Sequence, residues 1–287
     1  MNIVELLIQR GAGVDALDKD DKTPLKSASH HGHLDVAQFL IDSGANVNSR
    51  DNDGWGPLHS ASQEGHLDIV ELLIQRGAGV DSQDKGDETP LKMASYYGHL
   101  DVAQFLINSG ANINPQDNGG CSPLHSASQE GHVNIVELLI QRGADVDSRD
   151  KDDETPLETA SRNGQMDFAQ FLVNSCANVN SRDNRGRSPL HMASQKGHVN
   201  ILELLVQRGA DVNSRNKKYW TTLHSAASNG HLDIVKLLLE RGADFGIHND
   251  SDETPLDVAF TNGKPEVADF LSGHIAGSTS PDGAEKM

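Results

Sequence analysis

Residues 56–79 read GPLHSASQEGHLDIVELLIQRGAG, and the architecture of the chain follows from this stretch. Pro57 suits the first turn of a helix, where an amide donor would have no partner. A short helix is expected over 57–63, ended by Gly65. A second helix starts near His66, Leu67 and Asp68. Its apolar residues Leu67, Ile69, Val70, Leu72, Leu73 and Ile74 are too dense for one buried stripe, so this helix packs on two sides. Gly77 supplies the left-handed residue that closes a helix C-terminus.

The stretch recurs. Its opening residues are Thr23, Gly56, Thr89, Ser122, Thr155, Ser188, Thr221 and Thr254, each 33 residues after the last. The text reads TPLK, GPLH, TPLK, SPLH, TPLE, SPLH, TTLH and TPLD. Thr or Ser ahead of Pro places a capping hydroxyl before the first helical residue. The interval and the T-P-L-H-x-A pattern resemble the ankyrin repeat, from residue 1 to about 272. The resemblance implies an all-α repeat fold, an ankyrin-repeat solenoid of helix-turn-helix pairs joined by projecting β-hairpin loops. One unit cannot bury its own apolar face, so stability becomes a sum of unit and neighbour terms.

The frame sets the expected organisation. Residues 1–17 are a truncated N-terminal half-repeat, because residues 1–8 align with the second helix at 133–140 and no first helix precedes them. Repeats follow at 18–50, 51–83, 84–116, 117–149, 150–182, 183–215, 216–248 and 249–272. Ser272 replaces an apolar residue such as Ile41, so the last repeat reads as a polar cap. Residues 273–287 are small, polar and aperiodic, and read as a disordered tail. Residues 59–85 and 125–151 differ at only four positions, which points to recent duplication of a 66-residue segment. Such near-identical arrays resemble the ankyrin stretches of large fungal proteins, some of them attached to NTPase domains.

Lys and Arg number 24 against 42 Asp and Glu, a formal charge of -18. A nucleic-acid binder presents excess positive charge to phosphate, so that class is set aside, and a neutral or basic partner is favoured. No run approaches the ~18 apolar residues of a membrane span. Cys121 and Cys176 fall in different repeats, which fits a reducing, intracellular compartment. The cytoplasm is the expected location, with the nucleus as the other compartment open to such a chain.

Histidine is abundant, but it follows the repeat. His59, His125, His191 and His224 end the TPLH motif, and His33, His66, His99, His132, His198 and His231 follow the inter-helix glycine. In the family it resembles, these positions tie turns to neighbouring backbone. The cluster of His30, His31 and His33 has no nearby Cys and no metal-binding spacing. Acidic tips such as Asp150-Lys151-Asp152-Asp153-Glu154 lack the spaced ligands of a calcium loop. They read as solvated hairpins that also steer a basic partner. No phosphate-binding loop or nucleophile elbow is present. The chain is therefore read as a non-enzyme with no cofactor, no metal and no small-molecule substrate. Cys176 replaces a closing glycine, a strain of about 1 kcal/mol. Asn48, Asn180 and Asn213 occupy the position hydroxylated in some ankyrin repeats.

Function is then sought in what does not repeat. In the family, partners dock on the hairpin tips and the exposed side of the first helix. Trp55, Tyr219 and Trp220 fall on tips, and Tyr96 and Tyr97 on the end of a first helix. These aromatics are the leading partner-binding candidates, because Trp, Tyr and Arg dominate interface hot spots. Arg162, Arg187 and Met93 are secondary candidates. The chain is expected to be a protein-protein interaction module or scaffold. The alternative is the sensor part of a larger signalling protein, such as an NTPase-ankyrin protein, with catalysis outside these residues.

Overall fold

The computed structural model describes residues 3–278. The chain divides into two compact units, residues 1–151 and 152–287. The first holds α1 (Ile3–Gln9), α2 (Pro24–His30), α3 (Leu34–Asp42), α4 (Pro57–Glu64), α5 (Leu67–Gln75), α6 (Pro90–Tyr97), α7 (Leu100–Asn108), α8 (Pro123–Glu130) and α9 (Val133–Gln141). The second holds α10 (Pro156–Asn163), α11 (Met166–Asn174), α12 (Pro189–Lys196), α13 (Val199–Gln207), α14 (Thr222–Asn229), α15 (Leu232–Glu240), α16 (Pro255–Thr261) and α17 (Pro265–Ser278).

From α2 onward the helices come in pairs. Within each unit, first helices stack on first helices, as α2 on α4 and α10 on α12. Second helices stack on second helices, as α3 on α5 and α11 on α13, and each pair packs internally. The dense second helix is buried as its sequence requires: in α5, Ile69, Val70 and Leu73 are wholly buried and Leu72 nearly so. Each such side chain contributes roughly 2 kcal/mol on leaving water. The first helices are thin where they meet. Ala61, Ala94, Ala160, Ala193 and Ala226 are wholly buried, which lets the helices of that layer approach closely. Their starts follow the motif: Thr89 Oγ1 accepts the Lys92 amide at 3.3 Å, and Pro90 occupies the first turn.

The loops differ from the expected β-hairpins. Among the described residues there is no strand, and the one isolated bridge joins Arg215 to Thr221. The tips are turns closed by a side chain. The Asp51 amide donates to Trp55 O at 3.0 Å, and Asp51 Oδ1 accepts the Asp53 and Trp55 amides at 2.9 Å. A carboxylate that takes these donors satisfies them without a ladder.

The two ends also depart from the interior. Helix α1 buries no residue, with Ile3 76% and Leu7 53% exposed, whereas their counterparts Ile135 and Leu139 in α9 are at most 1% exposed. At the other end α17 runs through Ser278, so residues 273–278 are helical where an irregular tail was expected from 273. His274 explains part of this, since it packs edge-on against Phe245 at 5.6 Å and stacks on Phe270 at 6.3 Å. Residues 279–287, the rest of the expected tail, lie outside the described residues.

Cys176 is exposed and held at φ +68°, where glycine stands in the other repeats, as at Gly143 (φ +93°) and Gly209 (φ +88°). A Cβ at either glycine would meet nothing within 4 Å, so the cost at Cys176 is the backbone alone. Cys176→Gly is expected to stabilise the second unit by about 1 kcal/mol. A urea midpoint no higher than wild type would show that this residue carries no strain.

Candidate interaction surface

The tips and the ends of the first helices present the variable residues, and a fixed set of bonds holds them in place. Each tip opens on Asp or Asn. Asp84 Oδ1 accepts the Gly86 and Glu88 amides at 2.7 and 2.8 Å, and Asn216 Oδ1 accepts those of Lys218 and Trp220 at 2.8 and 3.0 Å. From the tip at 51–55 onward, neighbouring tips are linked by a backbone bond, such as Lys85 N to Asp53 O at 2.9 Å and Lys217 N to Arg185 O at 2.9 Å. The first carboxylate of a tip is therefore a structural acceptor rather than a free steering charge. The recurrence of Asp or Asn every 33 residues was the sequence signal for this role.

The histidines form two series of ties between repeats. His59 Nε2 lies 3.2 Å from Glu88 O, His191 Nε2 3.0 Å from Trp220 O, and His224 Nε2 3.1 Å from Glu253 O. Their Nδ1 atoms accept the motif's first amide, as Ser188 N to His191 Nδ1 at 3.2 Å. The second series points back to the preceding first helix: His99 Nε2 to Gln63 O is 2.7 Å, and His132 Nε2 to Tyr96 O is 3.0 Å. Among the described residues, no group of three His, Cys, Asp or Glu side chains is placed to hold a metal ion. In the sequence cluster, His31 Nδ1 is bonded to Ser27 O at 2.8 Å and His30 lies 3.3 Å from Glu64.

Where other repeats carry histidine, Lys26, Lys92 and Glu158 make different ties. Lys26 pairs with Asp51, and Lys92 with Asp117 and with Glu88, the last at 2.6 Å. Glu158 is wholly buried. Its Oε2 accepts the Thr155 amide at 2.7 Å, and its Oε1 accepts the Ser181 hydroxyl at 3.0 Å. Burial pushes its carboxyl up to about 7. Burial pushes the His191 imidazole the other way, down to about 4, and holds His59 and His224 below the usual value as well.

The candidate residues then sort by environment. Tyr96 and Tyr97 are both exposed and meet edge-on at 5.0 Å, and the Glu130 carboxylate beside Tyr96 raises its hydroxyl pKa. Trp55 is half-buried: its Nε1 donates to Asp84 Oδ2 at 2.6 Å, and the Lys26 ammonium lies 5.9 Å from its ring centre. It also lines a groove of about 350 Å³ with Lys22, Lys26, His30, His31 and Gln63. Tyr219 is 56% exposed and Trp220 half-buried over His224.

Three candidates are less available than their sequence position suggested. Met93 is only 4% exposed, and its place among the surface residues is corrected: its side chain is part of the packed layer of first helices. Arg162 is bound to Glu154, itself 7% exposed. Arg187 reaches Asp183 at 2.6 Å and Glu154 at 3.3 Å. Both guanidiniums are held in a carboxylate cluster that braces the tip.

Comparison with known proteins adds one match. A family model described as ankyrin repeats (3 copies) matches residues 1–84, 76–150, 143–216 and 209–280. No curated protein matches the chain.

Proposed function

The chain belongs to the ankyrin-repeat family, and on that premise we propose that it binds a protein partner through its tips and the exposed ends of its first helices. Ankyrin repeats are in general protein-protein interaction modules, and the all-α fold of the family is typically non-catalytic. The reading assigns this chain no reaction. No helix among the described residues is long and apolar enough to cross a membrane. Both cysteines are free thiols, which supports a working place in a reducing compartment.

One observation carries the reading. At the position where α4 and α8 end in Gln63-Glu64 and Gln129-Glu130, α6 ends in Tyr96-Tyr97, 37% and 46% exposed. Two adjacent aromatics held partly open to solvent are what interface centres use. The acidic tips around them in the first unit suit a neutral or basic partner there. In affinity purification with the intact chain, Tyr96→Ala with Tyr97→Ala is expected to lower recovery of the bound partner by about tenfold or more. Helical circular dichroism should not change, since neither ring is buried. Undiminished recovery would remove the first-helix end from the binding face.

A further inference from the structure

The net charge of the chain hides a local reversal. Of the eight tips, only 183–187 and 216–220 carry more basic than acidic residues: Arg185 and Arg187 against Asp183 in one, Lys217 and Lys218 with no acid in the other. The one acid does not offset the surface cations. The Asp183 side chain is wholly buried, its Oδ1 accepts the Arg185 and Arg187 amides at 2.9 and 2.7 Å, and its Oδ2 holds Arg187. Arg185, Lys217 and Lys218 are exposed, and among the described residues they form no ion pair. Between these two tips and the ends of α12 and α14 lies a groove of about 520 Å³. Trp220, Gln195, Ser228 and Asn229 also line it.

Two further observations mark this place. Trp55 ties its indole N–H to the first residue of the next tip, Asp84, but Trp220 makes no such bond among the described residues, because its counterpart Asn249 is engaged with Glu253 at 3.0 Å. Its N–H is left as a donor at the groove. Tyr219 stands at φ +58°. The same tip position is filled elsewhere by Gly54, Gly120 and Gly186, or by Asp21, Asp87, Asp153 and Asp252, all with positive φ. Gly and Asp tolerate that conformation; a bulky aromatic is an outlier there. Tyr219 is 56% exposed, so packing within the protein offsets little of the strain, and strain kept at a surface position points to use.

We propose that this groove is a docking site for a short acidic segment of a partner protein, whose carboxylates meet Arg185, Lys217 and Lys218 while an apolar side chain lies against Tyr219 and Trp220. The inference rests on the interaction reading above and names the partner's chemistry at one groove. The basic stretch is two tips wide. Asp152 and Asp153 bound it on one side, and Asp250, Asp252 and Glu253 on the other. A continuous polyanion such as a nucleic-acid strand would run into those carboxylates, whereas a segment of a few residues fits between them.

The test uses the intact chain and three labelled probes in fluorescence anisotropy. They are the peptide Glu-Asp-Glu-Leu-Asp-Glu, its counterpart with every acid replaced by Gln, and a short oligothymidylate. The acidic peptide should bind at least about tenfold more tightly than the Gln peptide, in a salt-sensitive manner. Lys217→Glu with Lys218→Glu should weaken it by a similar factor. Tyr219→Gly should raise the melting temperature, since it relieves the backbone, and still weaken binding by about threefold or more. Equal binding of the two peptides, unchanged affinity in either variant, or preference for the oligonucleotide overturns the proposal. A chain that retains its purified partner through Tyr96 and Tyr97 but ignores the acidic peptide ends the groove alone. Loss of both results ends the interaction reading with it.

Discussion

Gly65→Ala is expected to destabilise the first unit by about 3 kcal/mol, whereas Gly77→Ala costs about 1 kcal/mol. Both glycines are left-handed, at φ +76° and φ +88°, so the backbone term is shared. The difference is space. A Cβ on Gly77 meets nothing within 4 Å, but one on Gly65 would sit 2.4 Å from His99 Nδ1 and 2.8 Å from His99 Cγ. The imidazole cannot swing clear without losing its bond to Gln63 O at 2.7 Å. That bond is worth about 1 kcal/mol, and displacing the ring from its packing costs a similar amount. Urea unfolding of the two variants measures the contrast. A gap below about 1 kcal/mol would mean that the histidine yields freely and is not a wedge between repeats.

The second large effect is a pair of opposed titrations in the second unit, at one position of the repeat. Glu158 keeps its proton up to about 7 when folded, against 4.5 when unfolded. Between those values the unfolded chain binds fewer protons, so stability falls as pH rises through that window and stays lowered above it. His191 does the reverse. It stays neutral when folded down to about 4, against 6.5 unfolded, so stability is lost as pH falls from 6.5 toward 4. At about 1.4 kcal/mol per pH unit, each window is worth roughly 3 kcal/mol. From 4.5 to 6.5 the two slopes nearly cancel in the wild type.

Glu158→Gln keeps an acceptor for the Thr155 amide, and the Ser181 hydroxyl can turn to accept from the new amide. Its advantage over wild type is expected to be small near pH 4.5, to grow to about 3 kcal/mol by pH 7, and then to level off. The acid-side slope of His191 should stand out in that variant. Unfolding midpoints across the pH range measure the difference profile. A pH-independent difference would show that Glu158 is ionised in the folded protein at neutral pH.

Much of the fold was legible because its signals are local. A hydroxyl and a proline start most first helices, a glycine ends each, and the density of apolar residues in the second helix demands two buried sides. These are properties of a few consecutive residues, multiplied by a 33-residue period. The histidines could also be placed, since their recurrence with the frame marks them as structural. Their partners could not be named from sequence, because they are backbone carbonyls 29 or 36 residues away.

The candidate surface was legible only in part. Tyr96, Tyr97 and Tyr219 are exposed as their positions implied, but Met93, three residues from Tyr96, is buried. Glu158 fits a capping box, and a capping glutamate is ordinarily solvated. Here it is wholly buried and accepts from Ser181, 23 residues away, which no local pattern shows.

The sequence by itself determined the period, the helix pairs and the left-handed residue that closes the second helices, because each depends on backbone preferences within one turn of chain. The tertiary structure decided which charges are spent. Lys26 and Lys92 are under 10% exposed and paired with the following tip, while Lys217 and Lys218 stand open to solvent. A lysine has the same propensity in all four places. Its fate is set by the residues that stacking brings beside it, and it is this that leaves a basic groove between two tips of a chain whose net charge is negative.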